Sequence, residues 1–273
     1  MAPDEFTFTK FSRNDFYEGL NRRLVDMAEI GSGQRIVDLA CGTGGVTKLI
    51  LERLRDARDS VIIAVDHSAS ALKQAMEELK GKRNSAIQFV QSQVEQFSEA
   101  LKESVDTIVF CNAIHYISDK DALVEEISKS LKPGGKFAFS TSFFEGSHPP
   151  ETKAFYRKWM FKAIRILRGE YGLSPSRSDK VESRRHLTPE QYGELMANHG
   201  LKIVRQEIET VNVPIEGWLD ISAFEDFITG TLPGVPLDKA SAALQKAVQQ
   251  TFEELKIEYV PRSWLDVIAV RAA

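Results

Sequence analysis

The chain of 273 residues predicts an α/β fold built on a doubly wound, mostly parallel sheet of seven strands with helical cap insertions. Three observations carry that expectation. Short apolar runs, Ile36-Val37-Asp38-Leu39-Ala40, Val61-Ile62-Ile63-Ala64-Val65-Asp66 and Asp106-Thr107-Ile108-Val109-Phe110-Cys111, have the length and β-branched content of strands buried on both faces. Segments of helical periodicity alternate with them, as in βαβ units. The length suits one elaborated domain with a full core.

The first run breaks into Cys41-Gly42-Thr43-Gly44-Gly45 and resumes as Val46-Thr47-Lys48-Leu49-Ile50-Leu51, which predicts strand, tight loop and helix. Three glycines within four positions permit close approaches that a Cβ forbids, so a ligand is able to lie against the main chain. A dinucleotide fingerprint spaces its glycines as GxGxxG and rests a pyrophosphate on the helix N-terminus, but the third position here is Thr47. Asp38, four residues before the first glycine, repels a pyrophosphate and attracts a cation. Asp66 ends the second strand with a carboxylate suited to a ribose diol. A ligand with ribose hydroxyls and positive charge but no phosphate is S-adenosylmethionine (SAM).

Asp38-Leu-Ala-Cys-Gly42-Thr-Gly44-Gly45, the strand ending at Asp66, Val105-Asp106 through Asn112, and Leu131-Lys-Pro-Gly134-Gly135-Lys together resemble, in order and spacing, the class I SAM-dependent methyltransferases. The match covers roughly residues 35–142. Within that Rossmann-like family the chain looks most like the small-molecule branch containing the ubiquinone and menaquinone C-methyltransferases. The resemblance implies SAM as cofactor, held by Asp38, Ala40, Gly42, Gly44, Asp66, His67, Gln93, Val94 and Asn112, with Tyr17 at its methionine end. Relatives usually place an aspartate where Gln93 stands. Its amide oxygen is still able to accept from the adenine amino group, and the next backbone N–H, at Val94, faces a ring nitrogen.

Residues 6–30 read as an N-terminal helical segment in which Tyr17 serves either the ligand or core packing. After Asp66, Ser68 or Ser70 is the expected N-cap of a helix over 71–79, and Ile87–Gln91 is the third strand. Residues just past the fourth strand face the ligand crevice of an open sheet, which singles out Asn112, His115 and Tyr116. His115 and Tyr116 are the catalytic candidates, His115 as a base or as a wall of the acceptor pocket. Lys132-Pro-Gly-Gly reads as a turn before a fifth strand at 136–142, and strands near 202–213 and 264–270 complete the sheet.

One domain of 1–273 is expected: helical segment 1–30, SAM-binding core 31–142, helical cap 143–187 and 214–260, and sheet ends 188–213 and 261–273. The cap holds the acceptor candidates Tyr156 and Trp159, and a further one, Arg262, stands where the chain re-enters the sheet, facing either an anionic substrate group or a surface partner. From Glu151 to His186 ten basic side chains stand against four acidic ones, and Phe155, Trp159, Ala163, Ile166 and Leu167 share one helical face. This basic amphipathic helix is a solvated cap helix, a dock for an anionic substrate or carrier protein, or a membrane-surface contact. A helix from about Asp238, with Asp238 as N-cap, runs to Leu255.

A net charge of −4, with 42% hydrophobic and 27% charged residues, argues against a nucleic-acid partner. No apolar run spans a bilayer and Met1-Ala-Pro-Asp-Glu-Phe lacks a signal pattern, so a cytoplasmic protein without stable membrane association is expected. Two cysteines, Cys41 and Cys111, both expected in loops that follow sheet strands, support neither a disulfide framework nor a metal site, and the oligomeric state stays open. The function expected is methyl transfer from SAM to a small hydrophobic or aromatic acceptor. Its rivals are SAM binding without methyl transfer and, on a related sheet, a nicotinamide oxidoreductase.

Overall fold

The computed structural model describes residues 6–54, 59–81, 86–176 and 186–272. The chain divides into two compact units, one of residues 18–145, 185–209 and 264–273 and one of residues 1–17, 146–184 and 210–263. Among the described residues seven strands are formed: β1 Arg35–Leu39, β2 Val61–Asp66, β3 Ala86–Gln91, β4 Val105–Cys111, β5 Leu131–Thr141, β6 Leu201–Pro214 and β7 Tyr259–Arg271. Their order is β3-β2-β1-β4-β5-β7-β6. β1 to β5 pair in parallel, and β7 runs antiparallel to β5, with Ser140 opposite Asp266. The chain therefore lays β1 to β3 outward in one direction and β4 and β5 in the other. The switch falls between β1 and β4, whose C-terminal ends flank the crevice where open α/β sheets bind ligands.

Helices cover both faces of the first unit. α2 (Asp15–Met27) and α3 (Gly45–Leu54) bury Leu24, Val25, Leu49 and Ile50 against Ile36, Ile62 and Val109. α5 (Lys120–Ser130) and α7 (Pro189–Asn198) bury Leu123, Ile127, Tyr192 and Met196 against Val37, Ile108, Phe137 and Val267 on the opposite face. Side-chain caps start three helices, and the first of them, Ser68, is one of the two residues expected there. Ser68 accepts from the Ala71 N–H to open α4 (Ala69–Glu78), Asp119 from that of Ala122, and Thr188 and Gln191 form a reciprocal capping box.

The second unit is mainly helical: α1 (Thr9–Ser12), α6 (Lys153–Ile166), α8 (Ile215–Ile221), α9 (Glu225–Thr231) and α10 (Leu237–Leu255). Phe155 and Trp159 of α6 pack on Trp218 of α8, and Phe155 on Phe252 of α10. The buried face expected of α6 is the one observed, and Leu167 continues it in a π turn, Leu167–Tyr171, that Gly172 ends at φ 66°. Arg177, Lys180, Arg184 and Arg185 of the basic stretch lie outside the described residues.

Three local expectations need correction. α10 begins at Leu237 with Pro236 as N-cap, so Asp238 lies in the first turn, where a carboxylate meets the positive helix end without capping it. Residues 132–135 are a bulge inside β5 rather than a turn before it. Pairing jumps from Val105–Leu131 to Thr107–Lys136, and a Cβ at Gly135 would stand 2.8 Å from the Lys132 carbonyl oxygen. Cys111 is the last residue of β4 and not a loop residue.

Candidate functional site

Both strands at the switch point end in a strained residue. Ala40, directly after β1, has φ 57°, and Asn112, directly after β4, has φ 49°. Non-glycine residues held there cost about 1–3 kcal/mol and collect at functional sites. The Asn112 N–H donates to the Ser140 hydroxyl at 3.1 Å, and its side-chain oxygen accepts from the Ser142 N–H at 2.8 Å and the Ser142 hydroxyl at 2.9 Å. The β4 loop is thereby tied to the end of β5.

Asp66 performs the same service on the other side. Its carboxylate accepts from the Gly42 N–H at 2.8 Å and the Ser68 N–H at 2.9 Å, joining the loop after β1 to the loop after β2. Each carboxylate oxygen has a second lone pair, so these bonds fix the group's orientation without using up its acceptor capacity. His67, exposed, has Nδ1 3.5 Å from the same carboxylate.

Asp38 sits behind the glycine loop, fully buried, with the Thr47 hydroxyl donating to it at 2.5 Å. Burial pushes its pKa up to about 7, with nearby Asp66 adding to the rise and the Thr47 bonds opposing it. Thr47 thus replaces the third fingerprint glycine with a hydroxyl that serves the carboxylate. The glycines divide their tasks. A Cβ at Gly44, φ 86°, would stand 3.1 Å from Ala75 Cβ and Leu79 Cδ1 of the neighbouring helix, whereas one at Gly42 or Gly45 would meet nothing within 4 Å. Gly44 is required by packing, and the loop's open side lies at Gly42 and Gly45.

Gln93 is exposed just past β3, and Val94 is buried at the start of the 3-10 turn Val94–Ala100. His115 is buried, its Nδ1 3.2 Å from the Thr141 hydroxyl oxygen and its ring stacked on Phe143 at 4.2 Å, with Tyr116 4.1 Å away. Thr141 also accepts from the Phe143 N–H at 3.1 Å. Sequence reasoning missed this support by Thr141 and Ser142. The signal was the polar run Ser140-Thr141-Ser142 ending an otherwise apolar strand. Both cysteines are free, and burial together with nearby carboxylates pushes both thiols up, which keeps them protonated and inert.

The remaining candidates lie in the helical unit. Tyr17 is buried with its ring 5.0 Å from Phe11 and 5.5 Å from Phe8. Trp159 is enclosed, and its indole N–H donates to the Leu244 carbonyl at 3.0 Å. Arg262, also buried, donates to the Tyr156 hydroxyl at 3.1 Å and bonds His148, whose ring lies 4.0 Å from that of Tyr156. Burial raises the Tyr156 phenol, so it stays protonated at neutral pH. His148 completes a set that Tyr156 and Arg262 alone had suggested.

The residues of the sheet unit fit SAM: a buried carboxylate at the threshold of ionisation suits a cation, and an oriented carboxylate beside an open loop suits a diol. Comparison with known proteins agrees. A methyltransferase-domain family profile matches residues 37–137. A malonyl-[acyl-carrier protein] O-methyltransferase of Acetivibrio thermocellus is 31% identical over 48% of this chain and 47% of its own length. An uncharacterised methyltransferase of Geobacillus kaustophilus is 29% identical over 68% and 77%, and a trans-aconitate 2-methyltransferase of Azoarcus 30% identical over 46% and 47%. The chain thus spans about half the length of two of these three relatives. A solved structure assigned as a methyltransferase from Bacillus halodurans superposes over 93% of this chain and 99% of its own, with TM-score 0.59 at 14% identity, and shares the fold. Residues 37–137 thus match a methyltransferase domain, on a fold shared with the class I methyltransferases, whose methyl donor is SAM.

Proposed function

We propose that this methyltransferase acts on a small, largely hydrophobic or aromatic acceptor that carries an acidic oxygen, a carboxylate or a phenol. The donor would be held by Asp38 at its ammonium end, by Asp66 and His67 at the ribose, by Gln93 and Val94 at the adenine, and by the main chain of Ala40, Gly42, Gly44 and Asn112. Tyr17 remains a candidate for the methionine end. SAM supplies a methyl group on an already activated sulfonium. The protein's remaining work is to position the acceptor and exclude water, with His115 and Tyr116 as candidates to shape the acceptor side or move a proton.

The observation that favours an acidic acceptor is the meeting of the buried Arg262 with the half-buried Tyr156 and the exposed His148, beside Phe155, Trp159 and Trp218. We assign acceptor choice to this helical unit, reading 143–187 and 214–260 as the cap of a single functional domain. A planar guanidinium with a phenol and an imidazole recognises a carboxylate or phenolate oxygen, and the surrounding rings suit an apolar body. The malonyl and trans-aconitate names of two relatives denote acid-bearing acceptors, and the resemblance to the quinone C-methyltransferases points to a phenol; both fit this reading.

The experiment is a panel of small aromatic acids, phenols and aliphatic diacids, with formation of S-adenosylhomocysteine as readout and SAM binding followed separately by calorimetry. Asp66→Ala should weaken SAM binding by about 1.5–3 kcal/mol. Arg262→Gln should raise the acceptor KM at unchanged SAM affinity. Turnover only on large polymers would refute the acceptor class, and SAM binding without any turnover would favour the non-methylating alternative.

A further inference from the structure

We propose that the outer edge of the sheet is a self-association surface through which two copies of this chain pair β6 with β6, antiparallel, about a two-fold axis at Gln206. β6 is the terminal strand of the sheet and runs for 14 residues. A long edge strand offers a free row of backbone donors and acceptors, a template for another strand unless it is blunted. Val204 and Ile208, 57% and 54% exposed, are two of the five large apolar side chains left to solvent among the described residues, and they stand on this edge four residues apart.

The residues between them make the edge self-complementary. Alternation puts Val204, Gln206 and Ile208 on one face and Arg205 and Glu207 on the other, as the 2.6 Å bond between Arg205 and Glu207 requires. With the axis at Gln206, Val204 faces the second copy's Ile208, and Arg205 faces its Glu207. An apolar pair and an opposite-charge pair then each occur twice, and directly opposed pairs of these kinds stabilise an antiparallel ladder. Moving the axis half a residue sets Arg205 against Ile208, and moving it two residues sets Glu207 against Glu209. The isologous arrangement closes at two copies and consumes both edges.

So short a contact belongs to the weak end of interfaces, with dissociation expected in the micromolar range. Sedimentation velocity on the full chain from about 5 to 500 μM should show a monomer–dimer equilibrium. Val204→Lys with Ile208→Lys, which opposes like charges twice, should leave a monomer at all concentrations, whereas Val204→Lys with Ile208→Glu should restore the dimer. Circular dichroism of both variants checks that the fold is kept. A wild-type monomer at 500 μM, a dimer unaffected by the double lysine change, or a failure of the lysine–glutamate pair to restore association would each overturn the proposal.

Discussion

The Thr47 hydroxyl lies 2.5 Å from the Asp38 carboxylate, and this bond opposes the burial that holds the acid's pKa up to about 7. An acid so poised is half-ionised near neutrality, and a bound ammonium group favours the ionised form. If Asp38 receives the amino end of SAM, affinity should fall by about tenfold per pH unit below pH 7 and level off above it. Calorimetric titration of SAM at pH 6, 7 and 8 tests this. Asp38→Asn should bind more weakly at pH 8 and lose the pH dependence, and Thr47→Val should move the fall to higher pH. A flat profile in the wild-type protein would remove Asp38 from the site.

A second buried acid gives stability the same pH dependence. Asp266 on β7 pairs with Arg23, which also reaches Glu207 and, at 3.6 Å, Glu209, yet its Oδ1 has no hydrogen-bond partner among the described residues. Burial outweighs the guanidinium and raises its pKa to about 7. Because both folded-state values lie above the ordinary 3.8, each group contributes stability that is full below about pH 4 and is lost as pH rises through about 7. Between pH 8 and pH 6 the ligand-free protein should gain about 1 kcal/mol from each. Differential scanning calorimetry should show the higher Tm at pH 6, and Asp266→Asn should remove about half of the difference. A Tm that falls steadily from pH 8 to pH 6 would contradict the assignment.

The parts of this candidate site legible in the sequence were those encoded by local pattern. Asp38 and Asp66 could be found because each terminates or interrupts a β-branched run, and the run's position in a parallel sheet dictates which end faces a ligand. Thr47 was legible only as a missing glycine, since its bond to Asp38 is a tertiary fact across nine residues. The bulge at 132–135 looked like a turn because Pro-Gly-Gly serves both, and only the pairing with β4 distinguishes them. Pro236 displaced Asp238 as N-cap because proline fits the entry to a helix, and capping depends on backbone angles that composition does not carry. His148 was invisible for the opposite reason: its partners Tyr156 and Arg262 are 8 and 114 residues away.

The basic helix α6 is the last feature with a decisive test. Lys158 and Lys162 both reach Glu254 of α10, the latter at 2.7 Å, so part of its charge is already matched within the helical unit. Arg157 and Arg165 form no ion pair among the described residues and flank Phe161, 66% exposed, at four-residue spacing. Phe155 and Trp159 are on the other side, buried among Trp218 and Phe252. Exposed charges act over only about 8–10 Å at ordinary ionic strength, whereas truncating a buried tryptophan removes both packing and, here, the bond to Leu244. Arg157→Gln with Arg165→Gln should therefore leave SAM affinity unchanged and the acceptor KM within about twofold. Trp159→Ala should cost about 3–5 kcal/mol of stability, read as a lower Tm. A membrane role predicts otherwise: sedimentation with anionic liposomes, reversed by high salt and lost in the double glutamine variant. No such sedimentation is expected, because a single exposed phenylalanine between two arginines buries too little apolar surface to anchor the helix; salt-sensitive liposome binding by the purified protein would show that the charged face, and not the aromatic one, is what α6 is for.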